Sequence, residues 1–386
     1  MTADRATPER MAALLDRADH SVRSMWAIYL SREAPARYDR RLALGSALAI
    51  GLPIIGGVGT GHAGAGVQAA VAAWFTTLTV PKPDFPSRFR QMLTQSAMLV
   101  AATGLGMLVG GRVWATALAA IALSLIVPLP GVAVTPLIAM ILGTAPQPGI
   151  AAVQHLSRFL GGALLASAVL LIPFFGGSYA PRSGGEHAAS CHDRLRPTWA
   201  GLRTVVSEGD PRVRYGLRVA VCFTTAYIAS ALVHMPHAQW MLIGILTTLR
   251  STWDDTRGRI VKRLIGLVAG CTLTAALLAF TSGAPFAAAI AIAVCGGIAR
   301  PMRGFNYGFW PIFATPVLLL LSDFDVRLGW VDVIERLTDN MLGALLAALS
   351  LLLLWPGREA DHGPRNSPTA HGPQLLPTRY PRGNAR

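Results

Sequence analysis

Long apolar segments separated by short polar stretches dominate this chain, and they constrain its fold more than any other feature. Only 14% of the residues are charged and 52% are hydrophobic, whereas soluble domains carry about 25% charged residues. A bilayer core is crossed by helices of about 20 apolar residues, so the sequence predicts an all-α polytopic membrane protein. Twelve candidate spans lie at roughly 43–60, 66–80, 92–110, 114–128, 131–146, 156–175, 216–233, 237–249, 261–280, 284–299, 307–321 and 337–355. The apolar signal is weakest for the second and fourth spans of each half, where a re-entrant segment is the alternative to a full span.

The sequence predicts an internal repeat in the membrane part of the chain. Residues 41–176 and 214–356 carry the same short landmarks in the same order and at nearly constant offsets. The matches are Arg88-Phe89-Arg90 with Arg257-Gly258-Arg259, Thr135-Pro136-Leu137 with Thr315-Pro316-Val317, and Gly162 to Ala166 with Gly343 to Ala347. Six spans per half would insert both halves the same way up. The sequence therefore predicts two parallel six-helix repeats, an arrangement that many transporters share.

Basic residues are concentrated in alternate loops. The net charge is +14, and it falls between the apolar blocks rather than on one globular face, which argues against a nucleic-acid partner. With twelve spans, the basic loops all face one side of the membrane. Cytoplasmic loops are enriched in Lys and Arg, so the pattern predicts a multi-pass membrane protein with both termini in the cytoplasm.

Three further segments complete the predicted organisation. Residues 1–40 form a cytoplasmic N-terminal segment, 177–213 a cytoplasmic linker, and 357–386 a disordered cytoplasmic tail rich in Pro, Gly and Arg. The first contains an apolar stripe at helical spacing. This amphipathic helix would lie on the lipid headgroups or dock on its own protein, and both readings stay open. The stripe comprises Met11, Leu14, Leu15, Ala18, Val22, Met25, Trp26 and Tyr29.

Catalytic and cofactor motifs are not found in the sequence. It has no phosphate-binding GxxxxGK[ST] loop, no HExxH and no GxSxG. The four cysteines form no CxxC pair, and we expect Cys222, Cys271 and Cys295 to be small core residues. We therefore expect no enzyme activity, no cofactor and no metal site.

Ionisable residues at membrane depth are the candidates for chemistry, because they are costly there and often functional. His155 and Arg158 open the sixth span, and Glu335, Arg336, Asp339 and Asn340 open the twelfth. One interpretation is that they anchor helices at the interface. The other is that Asp339 or Glu335 loads and releases a proton, with Arg158 as its partner or as an anion binder. For His234 and His237, which flank the turn between the seventh and eighth spans, we expect a passive role.

A basic cluster in the second half is matched in the first. Arg257, Arg259 and Arg263 follow one another at helical steps, with Arg88 and Arg90 at the corresponding place. Such a face would attract an anion, or it would fix topology and contact lipid headgroups. In the first case Trp240 and Trp253 would supply aromatic surface for the substrate.

The order of several loose motifs resembles the fusaric acid resistance (FUSC) family, which is related to the aromatic acid exporters. The resemblance covers about 214–355 well and 41–176 more weakly. It is carried by Gln239-Trp240 through Thr248, Ser251-Thr252-Trp253, Asp255-Thr256-Arg257-Gly258-Arg259, Arg263-Leu264-Ile265-Gly266, Asn306-Tyr307 followed by Thr315-Pro316, and Arg336-x-x-Asp339-x-x-x-Gly343.

The resemblance implies an exporter of weak organic acids, often aromatic carboxylic acids, in a bacterial inner (plasma) membrane and driven by the proton motive force. It also implies a small organic anion, protons and the lipid bilayer as partners, and a periplasmic adaptor protein as in some relatives. A homo-oligomer is compatible with the sequence. Two features depart from the family: the short linker and tail replace large cytoplasmic domains, and the loop 81–87 lacks a Thr-x-Arg pattern.

Three alternatives stay open. A passive organic-anion channel could use the same helices. Another twelve-helix carrier, of the major facilitator class, would carry a characteristic Gly-x-x-x-Asp-Arg-x-Gly-Arg-Arg pattern in the second-to-third loop, which residues 81–90 do not show. A non-transporting membrane component of an envelope system is the third.

Overall fold

The computed structural model describes residues 23–30, 38–79, 82, 84–126, 134–145, 149–175, 211–250, 253–322, 324 and 330–354. These residues form helices joined by turns and contain no strand. Most of the predicted linker 177–213, all of the predicted tail 357–386, and residues 1–22 and 31–37 of the N-terminal segment lie outside them.

Each of the twelve predicted apolar segments coincides with a helix, which confirms the all-helical class. A short stretch over 23–30, here α1, precedes them. The six helices that follow are α2 Arg40–Gly59, α3 Ala63–Thr77, α4 Phe85–Val109, α5 Val113–Ile126, α6 Thr135–Leu142 and α7 Ile150–Leu171. The next six are α8 Pro211–Leu232, α9 Ala238–Thr248, α10 Trp253–Thr281, α11 Pro285–Phe305, α12 Trp310–Ser322 and α13 Trp330–Leu353.

Seven of these helices are long and apolar enough to cross a membrane, namely α2, α4, α7, α8, α10, α11 and α13. The other five have between 8 and 15 residues. At 1.5 Å per residue α3 spans about 22 Å, which is less than the hydrocarbon core of about 30 Å. The second helix of each half is short, as expected. The fourth is short only in the first half, whereas the fifth, α6 or α12, is short in both.

The helices pack into one bundle with a common interior. In the first half α3 packs on α2 and α7, and α4 packs on α6 and α7. In the second half α9 packs on α8 and α13, and α10 packs on α12 and α13. The halves meet where α2 packs on α11 and α5 on α8. Trp74, Leu137, Trp240 and Trp310 belong to one buried cluster that joins them.

The outer faces of the long helices are apolar and exposed. Leu108, Leu118 and Phe280 each expose more than 65% of their surface. Apolar area on this scale is unusual on a soluble monomer, and a bilayer would cover it. Polar caps hold the ends of two long helices: the carboxylate of Asp39 accepts from the backbone of Leu42, and that of Asp84 accepts from Ser87. The bond from Ser87 holds the pKa of the Asp84 carboxyl below its ordinary value.

The helix α1 docks on the turn between α11 and α12. The hydroxyl of Tyr29 donates to the carbonyl of Gly308 over 3.3 Å, and the side-chain amide of Asn306 donates to the carbonyl of Tyr29 over 3.0 Å. Trp26 and Leu30 are half exposed. The described end of the amphipathic helix therefore contacts its own protein on one face and leaves an apolar face open.

Close helix contacts in both halves depend on a glycine. A side chain at Gly162 of α7 would collide with the backbone of Ala69 of α3, and one at Gly343 of α13 would collide with the backbone of Met241 of α9. Small residues let membrane helices approach to this distance. The neighbouring Gly161 has open space at the same point.

We expect Gly162→Ala and Gly343→Ala each to lower the free energy of unfolding by about 1–3 kcal/mol, since overpacking a close contact costs that much. Gly161→Ala is the matched control and should be neutral or slightly stabilising, because Ala is the better helix former. Thermal unfolding of detergent-purified protein measures the effect. Equal midpoints for Gly162→Ala and Gly161→Ala would contradict the glycine contact.

Candidate functional site

A cavity lies in the interior of the bundle, between residues of both halves. Its volume is about 50 Å³, which is below the usual range for small-molecule sites, about 300–1,000 Å³, so an organic ligand would need these walls to move apart. The walls are formed by α3 and α6 on one side and by α9, α10, α12 and α13 on the other. The lining residues are Trp74, Phe75, Leu78, Ile138, Trp240, Ile243, Thr247, Arg263, Leu267, Cys271, Trp310, Pro311, Thr315, Leu318, Leu319, Arg336 and Asn340.

Four of the five short helices contribute to this lining. They are α3 and α9, second in their halves, and α6 and α12, fifth in their halves. Short or interrupted apolar helices at corresponding places of two halves mark the substrate site in many transporters, because helix ends leave polar backbone and space inside the bundle.

Three tryptophans give the cavity its aromatic character. Trp74, Trp240 and Trp310 are all more than 90% buried. The Nε1 groups of Trp240 and Trp310 have no hydrogen-bond acceptor among the described residues, although a buried indole N–H ordinarily finds one. Trp310 also stacks on Tyr307, with 5.4 Å between the ring centroids. The cavity thus offers flat apolar surface together with donors.

Arg263 places a buried positive charge on the cavity wall. Its side chain is 95% buried, and its Nη2 donates to Oδ1 of Asn340 over 2.7 Å. Its Nε finds no acceptor in the described part of the chain. None of the residues that line the cavity is acidic. A buried charge that lacks a counter-charge is costly by several kcal/mol, so this wall favours an anion.

A second arginine contributes to the same wall. The guanidinium carbon of Arg336 lies 5.3 Å from the ring centroid of Trp240, and its Nη1 donates to the hydroxyl of Ser322 over 3.1 Å. A guanidinium group over an indole face is stabilised by the ring quadrupole. Arg336 and Asn340 are one helical turn apart on α13, so both face the cavity.

A ring of arginines surrounds Tyr307 beside the cavity. The guanidinium carbon of Arg259 lies 3.7 Å from the Tyr307 ring centroid. Arg250 and Arg263 are also close enough to act electrostatically on the Tyr307 hydroxyl, which donates to the carbonyl of Thr247 over 3.1 Å. This group creates a strongly positive region next to the cavity.

The end of α3 is held by arginines from the other half. Arg300 of α11 donates to the carbonyls of Thr77 and, over 2.8 Å, of Thr79. Arg303 donates to the carbonyl of Leu78 over 3.1 Å. The last carbonyls of a helix have no partner within the helix, and cations are favourable there.

Carboxylates collect at the start of α13. Asp339 is 92% buried and lies close enough to His237, Glu335 and Arg336 to interact electrostatically. Glu335 is exposed. Asp339 therefore has an exposed carboxylate and an arginine of the cavity wall among its charged neighbours.

The predicted site residues are divided between several places. Arg263 and Trp240 line the cavity, and Arg259 lies beside it against Tyr307. Arg257 is exposed. The side chain of Trp253 lies outside the described residues.

The predicted residues of the first half do not line the cavity. Arg88 is buried and its Nε donates to the carbonyl of Lys82 over 2.7 Å, whereas Arg90 is exposed. Arg158 donates to the side-chain oxygen of Gln68 of α3 over 3.3 Å. The charged neighbours of Asp339 are instead His237, Glu335 and Arg336.

Two cavity residues, Trp74 and Trp310, are not among the candidates that the sequence indicates. Arg336 and Asn340 are among them at the start of the twelfth span, but without the anion-binding role assigned to Arg263, and their spacing of four residues places them on one helix face. That periodicity was a usable signal. The two tryptophans had no such signal, because aromatic residues are common in membrane helices.

Residues 225–350 match a protein family described as fusaric acid resistance protein-like. This range covers α9 to α12 and most of α13, and so every cavity residue of the second half. The match confirms the resemblance in that part of the chain. Together with the helices described above, it identifies a multi-pass membrane protein with a fusaric acid resistance protein-like region.

Three relatives are similar to part of the chain. YhfK of Escherichia coli is 25% identical over 167 residues, which are 42% of this chain and 23% of YhfK. The inner membrane protein YccS of Escherichia coli is 21% identical over 171 residues, 44% of this chain and 24% of YccS. The Synechocystis protein slr1298 is 24% identical over 156 residues, 40% of this chain and 20% of its own length. The chain thus aligns with about a quarter or less of each relative. No solved structure matches it.

We expect Arg300→Met to lower the free energy of unfolding by about 1–3 kcal/mol, because buried carbonyls at the end of α3 lose their donor. Arg112→Met is the matched control: Arg112 is exposed in the turn between α4 and α5, and its replacement should change stability by less than about 0.5 kcal/mol. The thermal midpoint in detergent measures both. A midpoint for Arg300→Met equal to that of the control would show that the contact with α3 is dispensable.

Proposed function

We propose that this protein exports weak aromatic carboxylic acids across the bacterial inner membrane, using the proton motive force. The observation that carries the proposal is the buried guanidinium group of Arg263, which lies in an aromatic cavity without an acidic residue in its lining. A carboxylate is the complementary partner of such a group. An aromatic ring is the complementary partner of the tryptophan walls.

In this proposal the cavity binds both ends of the substrate. The carboxylate accepts hydrogen bonds from Arg263, with Asn340 holding the guanidinium in place through the 2.7 Å bond. The ring lies against Trp240 and Trp310. The arginines around Tyr307 attract the anion toward the cavity, since a positive region raises the local concentration of anions.

The proposed architecture is two parallel repeats that meet at the cavity. The packing pattern supports it. Within the halves, the contacts of α3 with α2 and α7 correspond to those of α9 with α8 and α13. The contacts of α4 with α6 and α7 correspond in the same way to those of α10 with α12 and α13. Between the halves, the packing of α2 on α11 corresponds to that of α8 on α5. The glycines Gly162 and Gly343 make equivalent close contacts with the second helix of each half. The twelve helices, seven long and five short, would then be six per repeat.

The position of Arg263 along α10 fits an entrance to a transport site. It lies ten residues after the start of this helix, beyond the charged first turns and at the beginning of the apolar span predicted at 261–280. With both termini in the cytoplasm, as the distribution of basic loops predicts, the arginines near the start of α10 would face the cytoplasmic entrance.

Proton coupling is proposed for Asp339, with Glu335 as the solvent-facing group beside it. Asp339 is on the same helix as Arg336 and Asn340, so a change in its charge acts directly on the cavity wall. Intramembrane carboxylates serve as proton relays in many transporters. A periplasmic adaptor and a homo-oligomer remain proposals that rest on the family resemblance.

Uptake of a labelled aromatic carboxylate such as benzoate into inverted membrane vesicles tests the function. We expect an energised gradient to drive accumulation, and a proton uncoupler to abolish it. Flux that is insensitive to the uncoupler would favour the passive anion channel. No flux across a panel of organic acids would favour a non-transporting envelope component.

We expect Arg263→Gln to lower the initial rate of uptake by roughly tenfold or more, because a lost charge-assisted hydrogen bond costs about 1.5–3 kcal/mol. Arg90→Gln is the matched control, since Arg90 is exposed and away from the cavity. Rates are compared at equal protein levels in the membrane. If Arg263→Gln transports like Arg90→Gln, Arg263 is not the anion binder.

For Asp339→Asn we expect accumulation against a gradient to be lost while exchange of labelled for unlabelled substrate continues, because the amide cannot cycle a proton. Counterflow in vesicles without a proton gradient measures exchange. Glu335→Gln is measured beside it, and because Glu335 is exposed and Asp339 is buried, we expect accumulation to fall less in Glu335→Gln than in Asp339→Asn. Unchanged accumulation by Asp339→Asn would remove the coupling role from this residue.

A further inference from the structure

Three potential metal ligands converge at one end of the bundle, close to the cavity. They are His237, Asp332 and Glu335, and one ligand atom from each lies within 4.8 Å of the other two. This is the one group of its kind among the described residues. His237 is the residue that precedes α9, and Asp332 and Glu335 are in the first two turns of α13.

The local structure explains why these groups meet. Asp332 and Glu335 are three residues apart on a helix, so their side chains lie on the same face. The packing of α9 on α13 then places His237 opposite them. The imidazole of His237 makes no capping hydrogen bond to α9. Side chains distant in sequence are therefore held together by two packed helices rather than by a flexible loop.

We infer that His237, Asp332 and Glu335 form a binding site for a divalent cation of the zinc class. One imidazole nitrogen and two carboxylate oxygens are ligands that zinc accepts, with water in the remaining position. Ligands at about 2.0–2.2 Å in a tetrahedron are about 3.4 Å apart, so the observed separation closes with small side-chain rotations.

A neighbouring carboxylate supports the assignment. Asp339 lies one turn beyond Glu335 on α13 and is close enough to His237 to interact with it electrostatically. Metal-bound histidines are usually oriented by such a carboxylate or carbonyl in a second layer. Asp339 would be a positioning residue for the metal rather than a ligand.

The corresponding place in the first half has different chemistry. His62 precedes α3 as His237 precedes α9, but its Nδ1 lies 2.8 Å from the carbonyl of Thr60. The first two turns of α7, which correspond to those of α13, contain no acidic residue. The ligand set is therefore a feature of the second half, and His62 provides a natural control.

The site would act on the cavity through the two helices that it joins. Trp240 is three residues after His237 on α9, and Arg336 directly follows Glu335 on α13; both line the cavity. A cation that ties the starts of α9 and α13 together would restrict movement of this end of the cavity. The inference shares Glu335 and Asp339 with the proposed proton coupling but none of the anion-binding side chains, and zinc binding is measured without transport, so the two proposals can fail separately.

Titration of the full-length protein with zinc chloride tests the site. The detergent-purified protein is stripped with a chelator and titrated by isothermal calorimetry. We expect one high-affinity zinc ion per chain, lost in His237→Ala and bound roughly 10–100-fold more weakly in Asp332→Asn and Glu335→Gln. We expect Asp339→Asn to weaken binding less than either ligand variant does.

His62→Ala should bind zinc like the wild type. The histidines of the C-terminal tail, His362 and His371, remain in all variants, so any zinc held there appears as a common background. The thermal midpoint without zinc separates loss of a ligand from loss of folding. Absence of a high-affinity site in the wild type, or an unchanged site in well-folded His237→Ala, would overturn the inference and leave the transport proposal untouched.

Discussion

The pairing of helix ends inside the bundle is the constraint on which the rest of this structure depends. The helices α3 and α9 are too short to cross a bilayer, and their terminal carbonyls must be paired by protein groups because lipid offers no donors. Arg300 and Arg303 supply the donors for α3. Tyr307 and Arg250 supply them for the end of α9. The same arginines make the region beside the cavity positive. The groups that pair the helix ends are therefore also the source of the positive potential there.

The cavity owes its chemistry to the combination of short helices and buried cations. Because α3, α6, α9 and α12 contribute to its walls, tryptophans and helix ends meet where long helices would have filled the space. Arg263 is held by Asn340 rather than by a carboxylate, so its charge remains available to an anionic ligand. A neutralising Asp or Glu at this place would have been better for stability in the absence of a ligand. Its absence from the cavity lining is what gives the wall its preference for an anion.

Acidic and basic groups alternate over the first three turns of α13. Asp332, Glu335 and Asp339 collect toward its start, opposite His237, whereas Arg336 and Asn340 face the cavity. One helix therefore presents acidic and basic groups at neighbouring positions, with the acidic groups facing His237 and the basic group facing the cavity. Movement or rotation of α13 against α9 would change both at once. This arrangement connects the proposed proton carrier, the proposed metal site and the anion-binding wall through a single packed pair of helices.

The sequence by itself determined the helical membrane class and the position of twelve helices, because long apolar blocks can be buried in few other ways. It also indicated Arg263, Trp240 and Asp339 as residues of interest through motif order and the cost of charge at membrane depth. Only the tertiary structure decided which helices are too short to span, that Arg88 and Arg158 bond within the first half, that Trp310 and Arg336 line one cavity, and that His237 lies beside the carboxylates of α13. The physical reason is that helix periodicity fixes which residues share a face, whereas the packing of helices distant in sequence decides what that face meets.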